Sequence, residues 1–118
     1  MNRQRLAKID HEIQRVLGTL ISQELKDPRL GFATVTRVET TQDLKHARVF
    51  VSVIGDRHVA RQTMDALTHA AKFLRGELGH EMKSLRSVPE LQFVEDRSTE
   101  RAISVSKTLR EVMEHVHD

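Results

Sequence analysis

Three of the seven histidines, His58, His69 and His80, recur at 11-residue intervals. On one helix that interval brings them to the same face, and imidazole is a frequent zinc ligand. Each step is also a rise of roughly 16 Å, whereas zinc–nitrogen bonds are about 2 Å, so these side chains cannot share an ion. His115 and His117 stand near the end of the chain without a clear third ligand. The histidines are therefore expected at the surface. The chain has no cysteine, which removes thiolate nucleophiles, disulfides and cysteine-based zinc sites. Gly76 and Gly79 are separated by two residues inside a helical pattern and lack a following Gly-Lys-Ser/Thr, so they form no phosphate loop. No serine sits in a nucleophile elbow. These absences lead to an expectation of no cofactor, no metal and no enzyme.

Charge is the remaining chemistry. The net charge is only +2, but it is unevenly spread. Residues 1–86 hold 15 Lys/Arg against 10 Asp/Glu, whereas residues 87–118 hold 4 against 7. A basic body with an acidic end points to nucleic-acid contact through the body; an ordinary solvated surface is the alternative. Aromatics make up only 3%. Phe73 and Phe93 adjoin apolar neighbours at the right period and are expected in the core. Phe50 is then the one aromatic a sheet surface could offer, too little for a base-stacking sheet. RNA binding would have to rest on backbone charge and helix termini.

The elements that must position these charges follow from periodicity. Leu6, Ile9, Ile13, Val16, Leu17, Leu20, Ile21 and Leu25 form one apolar stripe, with Arg5, Lys8, Glu12, Arg15 and Lys26 on the far side. Asp27-Pro28 is expected to stop this helix, because a residue before proline avoids the α region. Phe32–Glu39 and His46–Gly55 read as strands joined by a short polar connection, an antiparallel pair. Asp56 is a plausible N-cap for the next helix. Ala60, Met64, Leu67, Ala71, Leu74, Leu78 and Met82 then keep helical spacing from about Val59 to Lys83. A straight helix of that length would be roughly 37 Å long, about the width of a domain of this size. A break is expected. Gly76 and Gly79 are weak points, and Ala70-Ala71 is a place where backbones can approach; periodicity does not choose between them. Glu90–Asp96 reads as a third strand. Ser98 opens a last helix bearing Ala102, Val105, Leu109, Val112, Met113 and Val116.

The 118 residues suit one domain. The expected fold class is α+β, in the order α-β-β-α-α-β, with residues 99–117 an additional C-terminal helix. The first residues, MNRQRLAKIDHEI, contain no apolar signal core, and no apolar run approaches the roughly 20 residues needed to span a bilayer. A soluble cytoplasmic protein is expected, with no membrane partner.

That element order is the one found in KH domains of the second topology. More specifically, ELKDPRLGFATVTRVETTQDLKHARVFVSVIGD (Glu24–Asp56) resembles the N-terminal half of the bacterial ribosome-binding factor A family. VPELQFVEDRS (Val88–Ser98) resembles its third strand, and AAKFLRGELG (Ala70–Gly79) the helix before it. The likeness runs from about Arg3 to Leu109. It implies a non-enzymatic assembly factor that binds the immature 30S subunit and its 16S rRNA and supports maturation of the rRNA 5′ end. It further implies particular importance in the cold, a functional link to a ribosome-associated GTPase, and no cofactor. A monomer is expected.

The resemblance also chooses the break. Members of the family carry an Ala-x-Gly kink where other KH domains have a Gly-x-x-Gly loop, and the matching positions are Ala70, Ala71 and Lys72. Lys72 stands where the family's glycine stands. Ser84 and Ser87 dilute a basic run that the family tends to carry before its third strand. The candidate nucleic-acid-binding residues are Arg3, Arg5, Lys8 and Arg15 on the first helix, with Ala70, Ala71, Lys72, Arg75, Lys83 and Arg86 around the joint. Each charged one would contact phosphate and position the protein without reading sequence. The competing function is a protein-interaction module that docks on ribosomal proteins with little direct RNA contact.

Overall fold

The computed structural model describes residues 2–98. Six elements follow in the expected order: α1 (Arg3–Gln23), β1 (Phe32–Thr40), β2 (His46–Ile54), α2 (Arg57–His69), α3 (Ala71–Glu81) and β3 (Glu90–Glu95). The helix expected over 99–117 lies outside the described residues. The sheet order is β1-β2-β3, with β1 and β2 antiparallel and β2 and β3 parallel.

The alternation in β2 decides which way the sheet faces. Ala47, Val49 and Val51 are buried, while His46 and Arg48 are exposed and Phe50 is half-buried. Successive side chains on a strand point to opposite faces, so one face is apolar and must be covered. Ile13, Val16, Leu17, Leu20 and Ile21 of α1, Leu67 of α2, and Leu74 and Leu78 of α3 cover it. All three helices thus lie on one side, the α+β arrangement expected from the sequence. A fully buried leucine or isoleucine contributes about 1.5–3 kcal/mol, so this seam dominates stability.

α1 ends earlier than the Asp27-Pro28 signal suggests. Glu24 is its C-cap, and the Glu24 N–H donates to the Leu20 carbonyl at 2.8 Å. Residues 25–31 instead form a turn that uses the Asp27 side chain. The outer edge of β1 is partly covered by α1, since Gln14 Nε2 donates to the carbonyls of Val35 and Thr36 at 3.2 and 3.3 Å. This is where the β1–β2 register shifts. Asp10 Oδ1 accepts from the Thr40 N–H at 3.0 Å farther along the strand. Burial raises the Asp10 pKa, with the hydrogen bonds to Thr40 opposing that shift. Asp56 caps α2 as expected, accepting from the Val59 N–H at 2.9 Å.

Candidate nucleic-acid interface

The long helical pattern breaks at Ala70, which is at once the C-cap of α2 and the N-cap of α3. Its dihedrals are φ −85° and ψ −1°. This bridge conformation is open to any L-residue. The Ala70 N–H still donates to the Ala66 carbonyl at 3.0 Å, and the Ala70 carbonyl accepts from the Leu74 N–H at 2.9 Å. The chain therefore turns at Ala70, which keeps one helical bond on each side while the ladder between α2 and α3 is interrupted. Glycine is not needed: among the described residues the only non-glycine with positive φ is Leu44. Lys72 sits unstrained in the first turn of α3. Gly76 and Gly79, the alternative break points, lie inside an intact α3. Ala70 and Ala71 are half-buried, and Ala70 packs against the core, so small side chains here let the two helices meet closely.

The charged candidates fall into separate groups. Arg3, Arg5 and Lys8 are exposed on the first turns of α1, ahead of Ile13, its first buried residue. Asn2 caps that end, its side chain accepting from the Gln4 N–H at 2.8 Å. Arg15, roughly 18 Å along the helix from Arg3, lines a groove with Thr19, Gln23 and Glu81, where α1 meets the end of α3. Lys72 and Arg75 are exposed on α3, and Lys83 and Arg86 on the connection to β3. Arg75 is already engaged, its Nε and Nη2 donating to the Val88 carbonyl at 3.2 and 2.8 Å. It ties α3 to the segment entering β3 and keeps only part of its fork for a ligand.

Among the described residues, none of the charged candidates has an acidic partner. Among the described residues the arginine ion pairs are Arg29–Asp27 (2.8 Å), Arg37–Glu39 (3.2 Å), Arg57–Glu95 (2.8 Å) and Arg97–Glu95 (2.7 Å). None of these cations is a candidate site residue. The Arg57 guanidinium is the main reason the Glu95 pKa is lowered.

The aromatic expectations need one correction. Phe93 is half-buried and packs against the core as expected. Phe73 does not: it is 46% exposed on α3. It flanks the apolar stripe one position before Leu74, and docking of α3 onto α1 and β3 turns it outward. Phe50, on the open face of the sheet, has the Arg37 guanidinium 4.0 Å from its ring centre. It is therefore a covered ring and not a bare stacking platform. The five histidines among the described residues are all exposed, as expected.

The motif DPRLG (residues 27–31) makes a self-contained turn. Asp27 Oδ1 accepts from the Arg29 N–H at 2.9 Å and from Arg29 Nε at 3.1 Å, while Oδ2 accepts from Nη2 at 2.8 Å. These bonds to Arg29 lower the Asp27 pKa to about 2. The Gly31 N–H donates to Thr63 Oγ1 at 3.1 Å, and that hydroxyl donates to the Val59 carbonyl at 2.8 Å. Thr63, fully buried on the inner face of α2, thereby fastens the turn to the helix. Sequence reasoning passed over Thr63. Its signal was a hydroxyl at Ala60-Thr63-Leu67 spacing, where an apolar residue is expected.

Comparison with known proteins agrees with this architecture. The family model for ribosome-binding factor A matches residues 5–109. Ribosome-binding factor A of Roseiflexus sp. strain RS-1 is 47% identical over 114 residues, 97% of this chain and 88% of that one. The Chloroflexus aggregans protein of the same name is 42% identical over 112 residues, 95% of this chain and 88% of that one. Among solved structures, a putative ribosome-binding factor A from Thermotoga maritima, determined in solution, gives a TM-score of 0.68 at 37% identity, covering 83% of this chain and 93% of that one. The crystal structure of ribosome-binding factor A from Thermus thermophilus gives 0.70 at 28% identity, covering 79% and 97%. With a family model spanning nearly the whole chain and relatives this similar over most of their length, the chain belongs to the ribosome-binding factor A family.

Proposed function

We propose that this chain is a small-subunit assembly factor. It binds the immature 30S particle through 16S rRNA and supports rRNA maturation, including processing of the 5′ end, without catalysis. The observation that carries this reading is the family match over residues 5–109. A Thermus thermophilus ribosome-binding factor A, fitted into a cryo-electron microscopy map of a 30S complex, has a TM-score of 0.65 to this chain at 29% identity. In support, no helix among the described residues is long and apolar enough to cross a membrane. The chain acts in the cytoplasm as a monomer and a single domain (1–118), linked to a ribosome-associated GTPase and needed most in the cold.

The exposed cations that lack acidic partners among the described residues supply the interaction. Arg3, Arg5 and Lys8 reach one stretch of phosphates from the tip of α1. Lys72, Arg75, Lys83 and Arg86 reach another from the joint and the segment after α3, with Arg15 beside them. Ala70 and Ala71 keep the joint compact enough for the RNA backbone to approach. Phosphate contacts release counterions, so log affinity should fall steeply with log salt. Co-sedimentation with free 30S and with 70S particles across a salt series tests this. The expected result is binding to free 30S alone, with a steep salt slope. Retained 30S binding with a flat slope would favour docking on ribosomal proteins instead.

A further inference from the structure

We propose that Phe73 is a stacking site for one unpaired RNA base, placed beside the phosphate contacts of the α2–α3 joint. The inference rests on the RNA-binding reading above and adds a residue and a ligand class to it. Phe73 is one of three large apolar side chains that the described residues leave exposed, with Phe32 and Ile54. Those two pair across β1 and β2, in a row that includes no lysine or arginine. Phe73 shares its helix with two exposed cations: Lys72 adjoins it in sequence, about a quarter-turn round the axis, whereas Arg75 lies on the far side of the helix.

The ring is also left accessible by the residue one turn on. On a helix, the surface a side chain covers lies over the turn N-terminal to its own Cα. A side chain at position 76 would therefore lie toward Phe73. Position 76 is glycine, and a Cβ built there meets nothing within 4 Å. Its φ is not positive, so no backbone requirement explains the glycine. Its cost to α3, about 1 kcal/mol against alanine, has no packing return among the described residues. Bare backbone at Gly76 beside a half-exposed ring is an opening for a flat group. A phosphate-linked base fits both halves of this surface, stacking on the ring while Lys72 meets the backbone.

The test uses the chain's composition. It has no tryptophan and no tyrosine, so Phe73→Trp installs a single fluorophore. The probes are a single-stranded oligoadenylate and an abasic oligonucleotide of the same length, which keeps the phosphates and lacks the bases. Quenching by oligoadenylate but not by the abasic strand is expected. Phe73→Leu should weaken oligoadenylate binding roughly fivefold or more, leaving both the salt slope and the abasic affinity unchanged. Gly76→Gln, whose Cβ would meet nothing within 4 Å, should weaken it likewise by covering the ring. Salt-dependent binding of oligoadenylate with no quenching, and with Phe73→Leu and Gly76→Gln at wild-type affinity, overturns the stacking site and leaves the RNA-binding reading standing. Failure of the wild-type protein to bind either strand at low salt, together with a flat salt slope on 30S particles, overturns both.

Discussion

The turn at residues 27–32 and the joint at residues 70–76 treat their polar groups in opposite ways. In the turn, Asp27 and Arg29 satisfy each other and Thr63 takes the Gly31 N–H. In the joint, α3 has no side-chain cap and Lys72 has no ion pair among the described residues. The turn carries the longest and most specific part of the family resemblance, yet its polar groups are taken up by one another and by Thr63. The joint carries a shorter likeness, yet its Lys72 is exposed. A recognisable motif and the proposed binding surface are thus different things in this molecule: one secures the packing of α1, β1 and α2, and the other is what that packing presents.

Three changes would break or sharpen that contrast. The largest effect is expected from Thr63→Val, which leaves the Gly31 N–H without its acceptor in a half-buried setting. Leaving such a donor unpaired costs about 1–3 kcal/mol, so denaturant unfolding should show a lower midpoint at unchanged m-value. Affinity for RNA per folded molecule should stay the same; a loss of affinity would mean the turn helps to shape the interface.

Lys72→Ala should do the reverse. Removing one phosphate contact flattens the slope of log affinity against log salt by about 0.9 and weakens binding. Stability should stay within about 0.5 kcal/mol, because the residue is exposed and away from the core. An unchanged affinity and slope would make Lys72 a solvated surface charge and would move the interface away from the joint.

The smallest effect concerns acid. The bonds from Arg29 lower the Asp27 pKa to about 2, and those from Thr36 and then Ser98 lower the Asp96 pKa to about 2. For a carboxylate with a lowered folded-state pKa, the stabilisation is present above the unfolded value, about 3.9 for aspartate. It is lost as pH falls through the folded value. Thermal midpoints measured from pH 5 to pH 2 should fall, and Asp27→Asn should make that fall shallower. Both groups are only partly buried and therefore screened, so the change is small. RNA affinity should not follow it.

Much of the fold was legible because burial leaves a period in the sequence. The stripe from Leu6 to Leu25 and the alternation from Ala47 to Val53 could each be satisfied in only one way. The break in the second helical pattern was not legible from period alone, because Leu67, Leu74 and Leu78 stay in phase across it. What fixes it at Ala70 is tertiary: α3 must meet α1 and β3 together, and Ala70 turns the chain by ψ with no glycine. Phe73 was misread for the same reason. A residue flanking an apolar stripe can turn either way, and only docking decides. A lysine-flanked aromatic followed three residues later by glycine was the signal that could have marked it. For the candidate site, charge could be located in the sequence, but which cations were already engaged could not. Arg29 and Arg57 look no different from Arg5 until their carboxylate partners are placed beside them.

The parallel pairing of β3 with β2 has a consequence for how the chain is made. His46 lies opposite Glu90, so the central strand emerges from the ribosome with one edge bare and waits for a partner 44 residues downstream. In that interval α1, β1 and β2 can already form a hairpin packed on a helix, while a row of unpaired backbone groups stays open to other nascent chains. At roughly 5–20 residues per second the wait lasts a few seconds. α2 and α3 are the intervening crossover, and their folding brings β3 to that edge and ends the exposure.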